Sequence, residues 1–270
     1  MEKRTGPAAK LRLLPGKASP EYQAQDLIYS AWDAATEKEA LKLARQALKL
    51  WPDCTDAYNV LAEYSEDIVD AAQLRAAGIE AAYRTFDKQF FRENTGEFWG
   101  LIETRPYMRA VQGLAEALAE LGLLREAAEK LAWLIKLNPD DNQGNRYSLM
   151  EFLLELKDYG EANKLYRKYS ADEFTANWLF YGALLSLQRN GRGRHARNAM
   201  YKAHMCNPHV WKLLVGKEKM PKVLPGSYVL GSMDEAVLTV SHLRGPLLAM
   251  EDAYGWIAHL DIEENWSEGS

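Results

Sequence analysis

The stretch Tyr107–Pro139, YMRAVQGLAEALAELGLLREAAEKLAWLIKLNP, decides the fold. Val111, Leu114, Ala115 and Leu118 recur at the three- and four-residue spacing of one apolar helix face, and Ala127 and Leu131 mark a second. Gly122 stands between them and takes the turn conformation that a residue with a Cβ resists, while Pro139 forbids continuation of the second helix. Ala115 and Ala127 are small because two antiparallel helices cross closely there, and a larger side chain would push their axes apart. Arg125, Glu126, Glu129 and Lys130 fall on the outward, solvated face. The stretch is a helical hairpin.

Its positions match W-x-x-L-G-x-x-Y, then A-x-x-x-F, then P, the signature of the tetratricopeptide repeat. One such hairpin cannot bury its apolar face alone, so neighbours of the same build are expected on both sides. Before it, Leu27, Ile28, Ala40, Ala44, Ala47 and Pro52 outline a repeat over 21–52, and Tyr58, Leu61 and Ala62 open a degenerate one with an acidic turn at Glu66, Asp67 and Asp70. Between that repeat and the opening stretch the period breaks over 86–105, FDKQFFRENTGEFWGLIETR. This insert holds Phe86, Phe90, Phe91, Phe98 and Trp99, too much aromatic surface to leave in water. After the opening stretch Ala127, Ala162 and Ala196 recur at intervals of 35 and 34 residues, the period of this class.

The expected fold is all-α: a tetratricopeptide-type right-handed α-solenoid of about five helical hairpins with a C-terminal capping hairpin. Along the chain this gives a disordered basic lead at 1–20, the solenoid at 21–208 with its aromatic insert at 86–105, a helical cap at 209–260, and an acidic tail at 261–270. Within the cap, Met233 to His259 reads as two helices parted near Gly245–Pro246.

Composition narrows the function classes. No apolar run approaches the roughly 20 residues that span a bilayer, and the first twenty residues lack a continuous hydrophobic segment, so a cytoplasmic protein with no membrane partner is expected. Cys54 and Cys206 are far apart and form no C-x-x-C pair, which fits a reduced compartment. His195, His204, His209, His242 and His259 show neither H-E-x-x-H nor a Cys/His cluster, and no phosphate-binding loop, dinucleotide fingerprint or nucleophile elbow occurs. No catalytic residue, cofactor or metal is therefore expected.

The second half carries a more particular pattern. LLEL at 153–156, YGALLSL at 181–187 and above all Asn207-Pro208-His209-Val210 are followed by Lys212, Leu213 and Leu214, a proline loop with Leu224 and Pro225, and a turn from Gly231 into a helix at Ala236. In these residues the chain resembles the suppressor of tumorigenicity 7 family, a tetratricopeptide-containing group, from about Leu123 to Ile257. The resemblance implies an interaction or scaffolding role and offers no catalytic residues. Animal members of that family carry membrane-spanning helices, which this sequence lacks. FWGLIETRPYMR at 98–109 is also similar to a segment of soluble bacterial repeat proteins, pointing to a small soluble relative.

In a solenoid of this build the first helix of each hairpin lines a concave groove. Its inward, non-core positions are Tyr22, Gln25, Tyr29 and Trp32, then Asn59, Glu63 and Glu66, then Arg109, Gln112 and Glu116, then Tyr147 and Glu151, and last Trp178, Tyr181 and Arg189. A protein or peptide partner in that groove is the leading reading. Glu97, Glu103, Arg105 and Arg109 could form a buried charge network next to Trp99, the one place where an enzyme site is conceivable; a structural brace is the alternative. Between Gln188 and Lys222 nine Lys or Arg face the single acid Glu218, densest at Arg192, Arg194 and Arg197. That basic stretch makes nucleic-acid association the second reading.

Overall fold

The computed structural model describes residues 19–171 and 173–260. The basic lead, apart from its last two residues, and the acidic tail lie outside the described residues. Among the described residues there are fourteen α-helices, two 3-10 turns and no strand. The chain divides into two compact units, one up to Asn145 and one from Arg146, so the division falls at the start of the eighth helix. Each unit is described by itself.

The first unit holds α1 (Pro20–Trp32), α2 (Glu37–Leu50), α3 (Thr55–Glu63), α4 (Ile68–Thr85), α5 (Lys88–Asn94), α6 (Arg105–Glu120) and α7 (Leu124–Leu137). The side-chain oxygens of Ser19, Thr36, Asp67 and Asp87 accept from backbone N–H groups at the starts of α1, α2, α4 and α5, satisfying donors that the helices leave open. Gly122, at φ +78°, ends α6: its own N–H reaches Ala119 O at 2.9 Å and that of Leu123 reaches Leu118 O at 2.8 Å, the paired bonds of a Schellman turn. The pairs α1/α2, α3/α4 and α6/α7 are the first three hairpins. Ala24, Ile28, Ala40, Ala44, Ala47 and Val60 form the dry seam of the first two.

The aromatic insert packs inside this unit. Tyr83, Phe86, Phe90, Phe91, Phe98 and Tyr107 form a continuous ring cluster with neighbouring centroids 4.6–6.5 Å apart, within the range of favourable aromatic contacts. Two 3-10 turns, Phe98–Gly100 and Ile102–Thr104, carry the chain from α5 into α6. The Gly96 N–H donates to Leu137 O at 3.1 Å, and Thr104 Oγ1 donates to Phe98 O at 2.5 Å, so the insert is stapled to the end of α7 and to itself.

The second unit comprises α8 (Asn145–Glu155), α9 (Tyr159–Tyr169), α10 (Ala176–Asn190), α11 (Arg194–Cys206), α12 (Pro208–Leu214), α13 (Met233–Ala249) and α14 (Ala253–Ala258). The α8/α9 turn closes like that of α6, with Lys157 at φ +58° and the Asp158 N–H reaching Leu153 O at 2.8 Å. Helix α10 is buried along most of its length, because α11 and α13 both pack on it. A buried carboxylate joins these elements: Glu235 accepts from Ala176 N at 2.9 Å, Asn207 Nδ2 at 3.0 Å and Gly231 N at 2.7 Å.

One sequence expectation fails here. Helix α13 does not part at Gly245–Pro246; it runs on to Ala249, and the break comes at Asp252, a non-glycine residue at φ +56°. Pro246 lies in the last turn, where its missing N–H interrupts only one ladder bond, and Met250 N still reaches Pro246 O at 3.1 Å. The glycine before it has a packing role, since a Cβ at Gly245 would collide with the Glu155 carboxylate.

Ala127 and Ala162 have no exposed surface. Replacing either with Trp is expected to cost about 1–3 kcal/mol or more through overpacking, read as a lowered thermal midpoint; an unchanged midpoint would refute the register in which these helices pair.

Candidate functional site

The first unit contains two adjoining cavities. The larger, about 430 Å³, lies among α1, α3, the turn before α6 and the start of α6; the smaller, about 300 Å³, lies among α1, α3, α4 and α6. Trp32 and Arg109 border both. Helix α1 explains the placement: Ala24, Ile28 and Ala31 are buried, and Tyr22, Gln25, Tyr29 and Trp32 form a second stripe beside them that faces the larger cavity. The Tyr29 and Trp32 rings, each about half exposed, lie 5.6 Å apart.

A charge network forms the floor between the cavities. Arg109 holds the fully buried Asp56 with two bonds, Nε to Oδ1 at 3.1 Å and Nη2 to Oδ2 at 2.5 Å, and its guanidinium lies 5.2 Å over the Trp32 ring. Asn59 Nδ2 donates to Asp56 Oδ1 at 2.9 Å, and Gln25 Nε2 donates to Asp56 Oδ2 at 3.4 Å. Arg75 Nη1 donates to Asn59 Oδ1 at 2.8 Å. Arg75 is accommodated because residue 113 is glycine; a Cβ there would stand 2.5 Å from its Nε. Burial pulls the Arg75 guanidinium below its ordinary pKa against the opposing pull of Glu116, Glu63 and Asp56. Burial likewise pushes the Glu116 carboxyl up, with Arg75 acting against it.

Of the residues read from sequence as groove candidates, Tyr22, Tyr29, Trp32, Asn59, Glu63, Arg105, Arg109, Gln112 and Glu116 line one or both cavities. Of the two readings of 97–109, a buried charge network or a structural brace, the geometry does not draw Glu97, Glu103, Arg105 and Arg109 into one network. Arg105 turns back on the insert, its guanidinium 4.5 Å from the Trp99 ring centre and its Nη2 3.1 Å from Trp99 O, while Arg109 turns away to Asp56. Glu97 is exposed, and Glu103 alone of the two acids reaches the larger cavity. Sequence reasoning missed Asp56 and Arg75. Asp56 sits in the first turn of α3, where an acid reads as a helix-dipole partner, and Arg75 is one cation in an alanine-rich helix.

The second-unit candidates are placed differently. Trp178 and Tyr181 have no exposed surface, so they are core and not groove wall: Trp178 packs with Tyr147, Tyr166, Tyr169 and Tyr181. Glu151 bonds His242 Nδ1 at 2.7 Å, and Arg189 bonds Asn163 at 2.5 Å. Helices α8 and α9 supply Trp178's ring partners Tyr147, Tyr166 and Tyr169, and α13, which packs on α10, takes Glu151 through His242. Tyr147 donates to Glu173 at 2.6 Å, and the Arg146 guanidinium lies between the rings of Tyr147 and Tyr169 while pairing with Glu173 at 2.8 Å. Within the basic stretch Arg192 pairs with Asp252 and Arg197 Nε donates to Arg192 O at 3.3 Å. Arg194 lies in the first turn of α11, a helix N-terminus where added positive charge is unfavourable.

Among the described residues no cluster of three His, Cys, Asp or Glu is disposed to hold a metal ion, and no helix is long and apolar enough to cross a membrane.

The comparisons with known proteins agree with the pattern in the second half of the sequence. The chain is similar to the suppressor of tumorigenicity 7 proteins. The suppressor of tumorigenicity 7 protein-like of Rattus norvegicus is 26% identical over 81% of this chain and 43% of its own length. That of Homo sapiens is 27% identical over 81% and 42%, and the Protein ST7 homolog of Drosophila melanogaster is 24% identical over 81% and 45%. The similarity extends well beyond the half of the chain in which the sequence pattern placed it. The chain spans less than half the length of these relatives. No family model matches it. Among solved structures, the crystal structure of YrrB, described as a TPR protein with an unusual peptide-binding site, superposes with a TM-score of 0.49 at 16% identity, over 67% of this chain and 81% of that one.

Two variants probe these sites. Arg109→Ala leaves Asp56 buried with only amide donors and is expected to cost about 3 kcal/mol, the low end for breaking a buried pair because Arg109 is 41% exposed; urea unfolding of Arg109→Ala alone and paired with Asp56→Asn measures it, and the second change should recover most of the loss. At Glu173 burial raises the carboxyl pKa, but the bonds from Tyr147, Arg146 and Thr175 outweigh it and hold the group below its ordinary value. A lowered folded pKa contributes stability above the unfolded carboxylate value and loses it as pH falls through the folded value. Glu173→Gln should therefore flatten the stability profile on that acid side, and an unchanged profile would refute the pairing.

Proposed function

We propose that this chain is a non-enzymatic binding protein that holds a protein or peptide segment against its N-terminal hairpins, with the larger cavity as the anchoring pocket. One observation carries the reading: Arg109, the most prominent cation of the cavity, is already committed to Asp56 and stacked near Trp32, so the site offers apolar surface and fixed shape in place of a reactive group. Tyr22, Tyr29, Trp32, Trp51 and Phe86 supply that surface, and aromatic side chains in partly desolvated pockets dominate the energetics of protein contacts. At about 430 Å³ the cavity is large enough for a few side chains of a partner and lies at the lower end of the range of ligand pockets. Both cysteines are free, and burial pushes the Cys54 thiol up to about 12, so it stays protonated and unreactive. This fits work in a reducing, cytoplasmic setting.

Nucleic-acid association through the basic stretch has less support, because Arg192 is drawn into an ion pair and Arg189 into a bond with Asn163. The enzyme reading looked to Glu97, Glu103 and Arg105 around a pocket beside Trp99; Glu103 and Arg105 line the larger cavity, Glu97 and Trp99 do not, and Arg105 is turned onto Trp99, which leaves that reading with less support.

The test compares capture of partner proteins by the wild-type chain with capture by Trp32→Ala, Tyr29→Ala and the triple variant Arg192→Ala, Arg194→Ala, Arg197→Ala. Trp32→Ala should weaken binding by about 2 kcal/mol, roughly thirtyfold, the triple variant should bind as wild type, and salt should matter little. A partner that ignores Trp32 and is lost in the triple variant with a steep salt dependence would reverse the assignment, and consumption of a small molecule by the purified chain would end it.

A further inference from the structure

The second unit leaves a run of large apolar side chains in water. Between α12 and α13 residues 215–232 form no regular helix, and a loop of that length is uncommon in a compact fold unless it carries a function. Val223, Leu224, Val229 and Leu230 on it are 52–80% exposed. Phe174 and Met205, also exposed, adjoin the loop where it returns to the helices. There Cys206 Sγ donates to Phe174 O at 3.3 Å, and the Gly231 and Ala176 N–H groups share the Glu235 carboxylate. Apolar side chains scattered singly need no explanation, but a gathered patch marks a contact surface.

The charge of the loop says what the contact is. From Lys212 to Met233 the sequence holds four lysines and one acid. That acid, Glu218, is already taken up by His209 Nδ1 at 3.0 Å and by Lys212 Nζ at 3.9 Å. Asp234, the next acid, stands in the first turn of α13, where the helix N-terminus answers it. Lys217 lies over the Trp211 ring, 4.5 Å from its centre. Lys219 and Lys222 are exposed among the apolar side chains, in the order Lys219-Met220-Pro221-Lys222-Val223-Leu224.

Lysine is depleted from interfaces between proteins. At the boundary of a lipid layer it fits, because the stem lies along apolar surface while the ammonium stays among the headgroups. An anionic headgroup layer therefore accepts both parts of this surface at once. It needs no helix that crosses it. A backbone without helical bonding cannot enter the hydrocarbon, so only side chains reach past the headgroups, and Pro221 and Pro225 bring no N–H to satisfy.

We propose that the loop between α12 and α13 docks this protein on an anionic lipid surface, with Val223, Leu224, Val229 and Leu230 seated in the headgroup boundary and Lys219 and Lys222 meeting the lipid charge. The proposal uses no residue of the peptide pocket and stands apart from that reading.

The experiment is co-sedimentation of the full chain with vesicles of phosphatidylcholine alone and of equimolar phosphatidylcholine and phosphatidylserine. Wild type should bind the mixed vesicles at least roughly tenfold more tightly than the neutral ones, and added salt should weaken that binding. The variant Val223→Ser, Leu224→Ser, Val229→Ser, Leu230→Ser should keep its thermal midpoint, because these side chains are exposed, and bind the mixed vesicles at least about tenfold more weakly. Lys219→Gln with Lys222→Gln should lose roughly tenfold on mixed vesicles and leave neutral ones unchanged. The triple variant Arg192→Ala, Arg194→Ala, Arg197→Ala, at the end of α11 away from the loop, should bind as wild type. Equal binding to both kinds of vesicle, or undiminished binding by the serine variant, would overturn the proposal. So would a second copy or a soluble partner that the serine variant no longer holds, if wild type ignores the vesicles; the patch would then belong to a protein contact.

Discussion

Helix pairs in this protein meet at a separation that a methyl group sets. Ala24, Ala44, Ala57, Ala81, Ala110, Ala127, Ala162, Ala183, Ala196 and Ala203 have no exposed surface, and at least one stands in each hairpin. Close approach gains dispersion contacts and a defined register, but alanine brings little apolar area, so no hairpin gathers enough to stand alone. The larger side chains are spent between hairpins, as with Ile28 beside Val60 in the first unit. Where the regular repeat is interrupted, the aromatic insert supplies the area that a hairpin seam would have contributed, and its ring cluster runs from Tyr83 on α4 to Tyr107 on α6. Tyr107 shows how complete this filling is: its ring is buried while its hydroxyl meets Tyr83 at 3.2 Å and accepts from Trp133 at 2.9 Å.

The hairpins were legible because a helical period leaves a repeating mark in sequence, and alanine at a 34-residue interval leaves a second. That Tyr22, Gln25, Tyr29 and Trp32 would line one surface was legible for the same reason, since they share one stripe of α1 and border the larger cavity. Their counterparts in the second unit were not. Position along a first helix says which way a side chain points, but not whether a later helix lies there, and α13 follows an irregular stretch where no period leads the eye. Its docking depends on Glu235, a charged residue that hydrophobic patterning assigns to solvent and that three donors draw into the interior. Asp56 escaped notice in the same way, as a buried carboxylate answered from a helix far along the chain.

The residues of the sequence pattern that resembles the suppressor of tumorigenicity 7 family include those of this joint. Asn207 accepts from His209 N at 3.1 Å to start α12, and its amide donates to Ser232 O and to Glu235; Gly231 completes the turn and donates to the same carboxylate. The pattern NPHV with its downstream glycine turn therefore records an architecture, the folding of a terminal helix against the last hairpin. It says nothing about the pocket of the first unit, which is built from other residues.

That pocket draws its lining from α1, α3 and α6, one helix from each of three successive hairpins, together with the turn at Ile102 and Glu103. Arrays of this kind are held by nearest-neighbour seams, so an end can fray while the middle stays folded. A molecule seated across all three hairpins adds a link that skips a neighbour, and by mass action it favours only the state in which every contributor is folded. Occupancy would then act as a clasp, turning a stack that can peel from one end into a block that opens all at once or not at all.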